Sequence, residues 1–346
     1  MIRTYAENAV TAKVKSMYGR RLTAEHFGNL LQKKTVGEVA AYLKQETAYA
    51  SVLGEIKEEL IHRGQLESLV RRRSVDIYEK LLKYNFQDSF YPRLYAARGE
   101  ISQLLSAMRM LNSGSMGRFI VDFPVYMDKF LSFDLFSLAR IGSFDDLLEV
   151  VGHSRYYELL GPHRPLGANA HIDIPACEAD LLTDYFKGAL ALARRIFGPG
   201  VSNDLCAILR EQIDMQNLKV IYRMKRFFHA SPEEIEKRLI PIKTRISHRI
   251  YNELAHAESA DEVMRRLSDI RILRRHLGGG NNGLERSVES LRQHTNRRLF
   301  RFTTHPVVAL MSYMILMEIE VENLTSVIEG IRYGLPADEI RQLLIL

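Results

Sequence analysis

A chain of 346 residues, 46% of them hydrophobic and with a formal net charge of +6, has enough apolar mass for two or three packed domains, which excludes a disordered or fibrous protein. Its two cysteines, Cys177 and Cys206, form no CxxC pair, which excludes a disulfide framework and points to a reducing, cytoplasmic compartment. The longest apolar run, residues 306–317, includes Ser312 and Tyr313 and is too short to span a bilayer.

The chain opens on MIRTYAENAVTAKVKSMYGRR, which lacks the apolar segment of a signal peptide. KKTVGEVAAYLKQETAY (33–49) predicts a capped helix: Thr35 is the N-cap, Glu38 the capping-box acid, and Val39 starts the apolar face. Residues 1–115 carry 18 basic and 12 acidic residues, whereas 116–346 carry 30 of each, so the net positive charge lies in the first third. Arg71, Arg72 and Arg73 form its densest cluster and are the candidate partner-binding residues, for an acidic protein surface or for phosphates; a solvated helix face explains them equally well. EISQLLSAMRMLN (100–112) lies on a helical seam drawn by Leu94, Ala97, Ile101, Leu104, Met108 and Leu111.

IGSFDDLLEVVGHSRYY (141–157) repeats the capped helix with Ser143, Asp146 and Leu147, and GPHRPLGANAHIDIPACEAD (161–180) reads as a long connection. DMQNLKVIYRMKR (214–226) keeps Ile208, Met215, Leu218 and Tyr222 on one stripe, which Glu211 and Lys225 interrupt. AESADEVMRRLSDIRIL (257–273) supplies a third capped helix through Ser259, Glu262 and Val263. LGGGNNGLERS (277–287) has neither the Lys-Ser/Thr ending nor the preceding strand of a phosphate loop and reads as a helix connection. NRRLFRF (296–302) interleaves arginine with leucine and phenylalanine, a second basic stretch.

The last long helix follows from Met314, Met317, Val321, Leu324, Ile328 and Ile331, spaced by threes and fours. Glu318, Glu320 and Glu322 alternate along it. On a helix Glu320 lies about 160° from Glu318, so the three cannot converge on one ion; they read as a solvated face or a partner contact, and their alternation as incidental. Gly334 fits a left-handed C-cap, and Pro336, Asp338 and Glu339 the start of another helix.

Two of these segments recur in the same order three times. Glu100, Asp214 and Glu320 correspond at spacings of 114 and 106 residues, and the capped helices at 33–49, 141–157 and 257–273 precede them. The junctions 229–239 and 333–343 also read alike. The expectation is an all-α protein of three pseudo-repeated helical domains, 1–115, 116–232 and 233–346, set about an approximate threefold axis or side by side. No histidine lies in an HExxH pattern and neither cysteine has a base beside it, so catalytic, cofactor-binding and metal residues are all expected to be none.

The N-terminal stretch from Tyr5 to Tyr49, with Thr47 and Tyr49 at its end, and the C-terminal EVENLTSVIEGIRYGLPADEI (320–340) resemble the opening and closing motifs of the C subunit of V/A-type rotary ATPases, similar to the d subunit of vacuolar ATPases. In the first copy Ser102 and Gln103 depart from the acid-Asn pattern. The resemblance implies three domains in a funnel-like arrangement and a non-catalytic central-stalk spacer, without a cofactor. Its implied partners are the central shaft subunits and the membrane rotor ring, with the chain a monomer within the complex, peripheral on the cytoplasmic face. The alternatives are a helical scaffold for an unrelated acidic partner or a nucleic-acid-binding protein.

Overall fold

A computed structural model describes residues 2–82, 90–117, 131–167, 170–270 and 284–346; the glycine run of 277–283 lies outside the described residues. In chain order the helices are α1 (Ile2–Tyr18), α2 (Ala24–Leu30), α3 (Val36–Glu46), α4 (Ala50–Leu53), α5 (Arg63–Leu82) and α6 (Phe90–Ser113). There follow α7 (Leu135–Leu138), α8 (Phe144–Val150), α9 (Arg155–Leu160), α10 (Ile174–Ile196) and α11 (Pro199–Arg223). The last are α12 (Pro232–Glu236), α13 (His248–Ala255), α14 (Ala260–Ser268), α15 (Leu284–Phe302), α16 (Pro306–Arg332) and α17 (Ala337–Leu343). The protein is all-α, with no strand among the described residues.

The expected caps form. The hydroxyls of Thr35, Ser143 and Ser259 accept the backbone N–H groups of Glu38, Asp146 and Glu262 at 3.1, 3.1 and 3.2 Å. Asp146 completes the box on Ser143, whereas Glu38 and Glu262 reach one residue further back, to the N–H groups of Lys34 and Glu258. The connection read at 161–180 is shorter than expected. Asp173 caps α10 through the N–H of Ala176, so residues 174–180 are already helical.

Contacts divide the chain into two compact units, one of residues 88–270 and one built from both ends, 1–87 with 271–346. In the end unit α16 is the axis and packs against α1, α3, α5, α15 and α17. Its residues from Val307 to Ile315 are all buried, as befits a helix with neighbours all round. Further along, the predicted stripe of Val321, Leu324, Ile328 and Ile331 enters one core with Phe27, Leu30, Leu43 and Leu66. Gly330 admits α17 here, since a β-carbon at this position would stand 2.5 Å from Cγ1 of the buried Ile340. In the other unit α10 packs between α6 and α11, and α11 carries α13 and α14. Leu94, Ile101, Leu104 and Met108 are buried on α6, with Ala97 and Leu111 half-buried.

The three repeated helices end alike. Gly114 and Gly334 are left-handed, each fourteen residues after the corresponding acid, with φ of 61° and 69°. In the middle copy the left-handed residue is His229, φ 48°, one position later, and the extra residue is taken up by a π turn over Met224–Phe228. The stripe-breaking Lys225 is buried at this turn and donates to the Ala230 carbonyl at 3.2 Å.

Candidate functional site

The repeated acids are the functional groups that sequence periodicity undervalued. Glu100 and Asp214 are buried on their helices and Glu320 nearly so, and each accepts a tyrosine hydroxyl from a different stretch of chain. On α16, Glu320 accepts Tyr49 Oη at 2.9 Å and the Leu22 N–H at 2.8 Å. On α6, Glu100 accepts Tyr156 Oη and the Ser132 N–H, both at 2.6 Å. On α11, Asp214 accepts Tyr251 Oη and is reached by the Thr244 hydroxyl and the backbone of Arg245 and Ile246. The tyrosines are less regular than the acids. Tyr49 and Tyr156 lie at the ends of their capped-helix repeats, whereas Tyr251 comes from α13, before the third one.

Burial dominates the electrostatics of these joints. It raises the Glu320 carboxyl above the ordinary glutamate value, against the Leu22 N–H, Arg73 and Tyr49, which favour the charged form. Asp214 is likewise raised by burial against its own hydrogen bonds. Tyr49 stays firmly a donor, its phenol pushed well up by burial and then by the neighbouring Glu320. An arginine attends two of the joints: Arg73 lies 4.4 Å over the Tyr49 ring, and Arg155 lies 5.2 Å over that of Tyr156. A cavity of about 250 Å³ opens beside Glu320, bordered by Tyr18, Arg21, Arg297, Tyr313 and Met317.

Asparagines add a second kind of fastening. Asn323 bonds both backbone groups of Ile345, accepting at 2.8 Å and donating at 2.7 Å, and thereby pins the segment after α17. Asn217 holds Ile240 after α12 in the same way, at 2.8 and 3.2 Å. The first copy has Gln103 at the equivalent position, and there Asn112 makes the two-way pair with Ile172, both at 2.9 Å. No repeat spacing points to Asn112.

The glutamate alternation is not incidental. Glu320 faces Tyr49, while Glu318 and Glu322, instead of forming only a solvated face, meet the buried Arg292 of α15 together with Glu289. The three candidate arginines also part company. Arg71 and Arg72 are exposed, Arg71 standing 3.9 Å from Glu67. Arg73 is turned inward at 8% exposure, donates from Nε to the Ala48 carbonyl at 3.1 Å and stands 4.0 Å from Glu320, so it is a structural cation and not part of a surface patch.

Among the described residues no group of histidine, cysteine and carboxylate side chains gathers as a metal site. Cys177 and Cys206 are buried and unpaired with each other. What the arrangement does chemically is hold segments together: a carboxylate fixed by two donors from another stretch of chain resists both sliding and twisting.

The ATP synthase (C/AC39) subunit family matches residues 10–343. The chain is similar to the C subunit of the A-type ATP synthase of Archaeoglobus fulgidus, 23% identical over 347 aligned positions that cover 97% of this chain and 96% of that protein. It is equally similar, at 23% over 348 positions, to the C subunit of the A-type ATP synthase of Thermococcus kodakarensis, covering 96% of this chain and 88% of the relative. The family match spans the positions of all three repeated acids, and the chain belongs to the ATP synthase (C/AC39) subunit family, the accessory, non-catalytic C subunits of V/A-type rotary ATPases.

Proposed function

We propose that this subunit is the spacer of the central stalk, joining the shaft of the soluble motor to the membrane rotor ring so that ATP hydrolysis or synthesis is coupled to ion transport. The observation that carries the reading is the family match over residues 10–343, to which the joints add a physical reason. A part that transmits torque must not absorb the twist in its own hinges. α16 is a 27-residue helix, about 40 Å long, fastened to the chain's N-terminal segments near its middle by Glu320 and to the C-terminal segment by Asn323.

In this reading the three repeats form a funnel-like surface peripheral to the cytoplasmic side of the membrane. No helix among the described residues is long and apolar enough to cross it, which fits attachment through the ring. Arg71 and Arg72 remain the contact proposed for an acidic partner surface, where charge speeds and orients docking while buried apolar area supplies most of the affinity.

Reconstitution from purified parts tests the role. Omission of the chain uncouples ATP hydrolysis from ion transport and releases the soluble motor from the membrane, and adding it back restores both. Coupling that survives omission rules the spacer role out. Silent charge reversal at Arg71 and Arg72 removes only that contact.

A further inference from the structure

Five arginines collect at one end of the unit built from the chain termini. Arg20 and Arg21 follow α1, and Arg297, Arg298 and Arg301 lie on the last turns of α15, which ends in Phe302. The Tyr18 and Phe300 rings, 4.6 Å apart, set the two helix ends side by side, and Arg21 and Arg297 border the same cavity. At 100° per residue Arg297, Arg298, Arg301 and Phe302 fall within an arc of about 140°, away from the buried Arg292, Asn296 and Phe300. All five arginines are exposed, and Phe302 is 72% exposed.

Among the described residues, only Arg21 of the five has a carboxylate acting on it from within the unit, Glu320 across the cavity that both border. There is no Asp or Glu between residues 9 and 24 or between 290 and 317. Arg20, Arg297, Arg298 and Arg301 make no ion pair among the described residues, in contrast to Arg292 with its three carboxylates and Arg71 with Glu67. Arg21 lies 4.2 Å over the Tyr18 ring and Arg301 5.6 Å over that of Phe302, arrangements that hold each guanidinium in place beside an aromatic face.

We infer that this arginine and phenylalanine surface binds the phosphate groups of an anionic phospholipid bilayer. Guanidinium forks match phosphate oxygens in pairs. A bilayer presents phosphate at every spacing, so five arginines from two segments need no fixed register. An acidic protein face would have to place its carboxylates to match them. The exposed Phe302, at the edge of the charge, suits the boundary between headgroups and acyl chains. The inference borrows from the spacer role only the nearness of a membrane, and the free chain binds vesicles whether or not it couples the two motors.

The test is flotation of the full chain with vesicles of phosphatidylcholine alone and of phosphatidylcholine containing about one-third phosphatidylglycerol, at low and raised salt. Binding is expected on the anionic vesicles only and falls with salt. Each basic side chain near an anionic surface strengthens binding several-fold, so R297Q/R298Q/R301Q weakens it by about a hundredfold. Phe302→Ala alone weakens it several-fold, and R71Q/R72Q leaves it unchanged. Melting temperatures measured alongside confirm that these exposed positions leave the fold intact, and the single Arg298→Gln provides a milder charge variant. Equal binding to neutral vesicles, a triple variant that floats like the parent, or loss confined to R71Q/R72Q overturns the proposal. So does a triple variant that keeps its vesicles but releases the detergent-solubilised rotor ring, or a parent chain that prefers an oligonucleotide to anionic vesicles. Lost flotation with coupling intact leaves the spacer role standing, and lost coupling with flotation intact leaves this one.

Discussion

The middle unit and the end unit close the same acid–tyrosine joint over very different lengths of chain. Tyr156 and Tyr251 reach acids 56 and 37 residues away, whereas Tyr49 reaches one 271 residues away. The entropy of closing a loop grows only with the logarithm of its length, so the step from 56 to 271 residues costs about 1.4 kcal/mol. That is comparable to one hydrogen bond to a charged group. The end unit places Arg73 beside its joint and joins both chain ends in one core. A repeated joint therefore need not follow repeated connectivity, and its chemistry survives when its two halves come from opposite ends of a chain.

The strongest way to break this comparison is Leu324→Asp. Leu324 is fully buried where α16 meets the N-terminal helices, and an unpaired carboxylate there destabilises the end unit by about 4 kcal/mol or more. Hydrogen exchange with chemical denaturation checks it: amides of α3 and α16 lose protection and those of α10 and α11 keep theirs. Equal loss in both units means that they are not separately stable.

Tyr49→Phe against Tyr156→Phe sharpens the comparison. Each leaves a buried carboxylate one donor short and costs about 1.5–3 kcal/mol, the first in the end unit and the second in the middle unit. Urea unfolding followed by exchange in each unit assigns the loss. If both substitutions register in the same unit, the division of the chain is drawn wrongly.

The smallest effect concerns pH. Because burial raises the Glu320 pKa, at pH values between the ordinary glutamate value and the raised one the folded chain retains a proton there that the unfolded chain has released. Its contribution is present in full below the ordinary glutamate value and is lost as pH rises through the raised one. Glu320→Gln removes that fall, so the variant's stability deficit relative to the parent is largest in acid and shrinks as pH increases through the window. Denaturation curves at a series of pH values that run parallel for the two proteins contradict the raised pKa.

Helix positions and caps were legible because they depend on neighbours three or four residues away. Thr35, Ser143 and Ser259 cap as expected, and Met314, Met317, Val321, Leu324, Ile328 and Ile331 are buried as the stripe requires. The role of Glu320 was not read, although a signal was present. It stands three residues after Met317 and four before Leu324, within the apolar face, and Glu100 occupies the same place between Ala97 and Leu104. A carboxylate at that position in a recurring stripe is a buried acid in search of a donor. What the sequence hides is the donor, since Tyr49 precedes its acid by most of the chain. Arg71 to Arg73 were read as one patch, but three successive helical residues spread over about 200°, and one of them had to face the core.

The meeting of the two chain ends also sets an order of events during synthesis. Phe27, Leu30, Leu43 and Leu66 share a core with Leu324 and Ile328, which the ribosome adds more than 250 residues later. At roughly 5–20 residues per second the N-terminal helices wait about 10–50 s for their cover, while the middle unit is already complete. These helices are thus made before the middle unit and covered after it, and throughout that interval their apolar face is what the nascent chain offers to chaperones and to neighbouring chains.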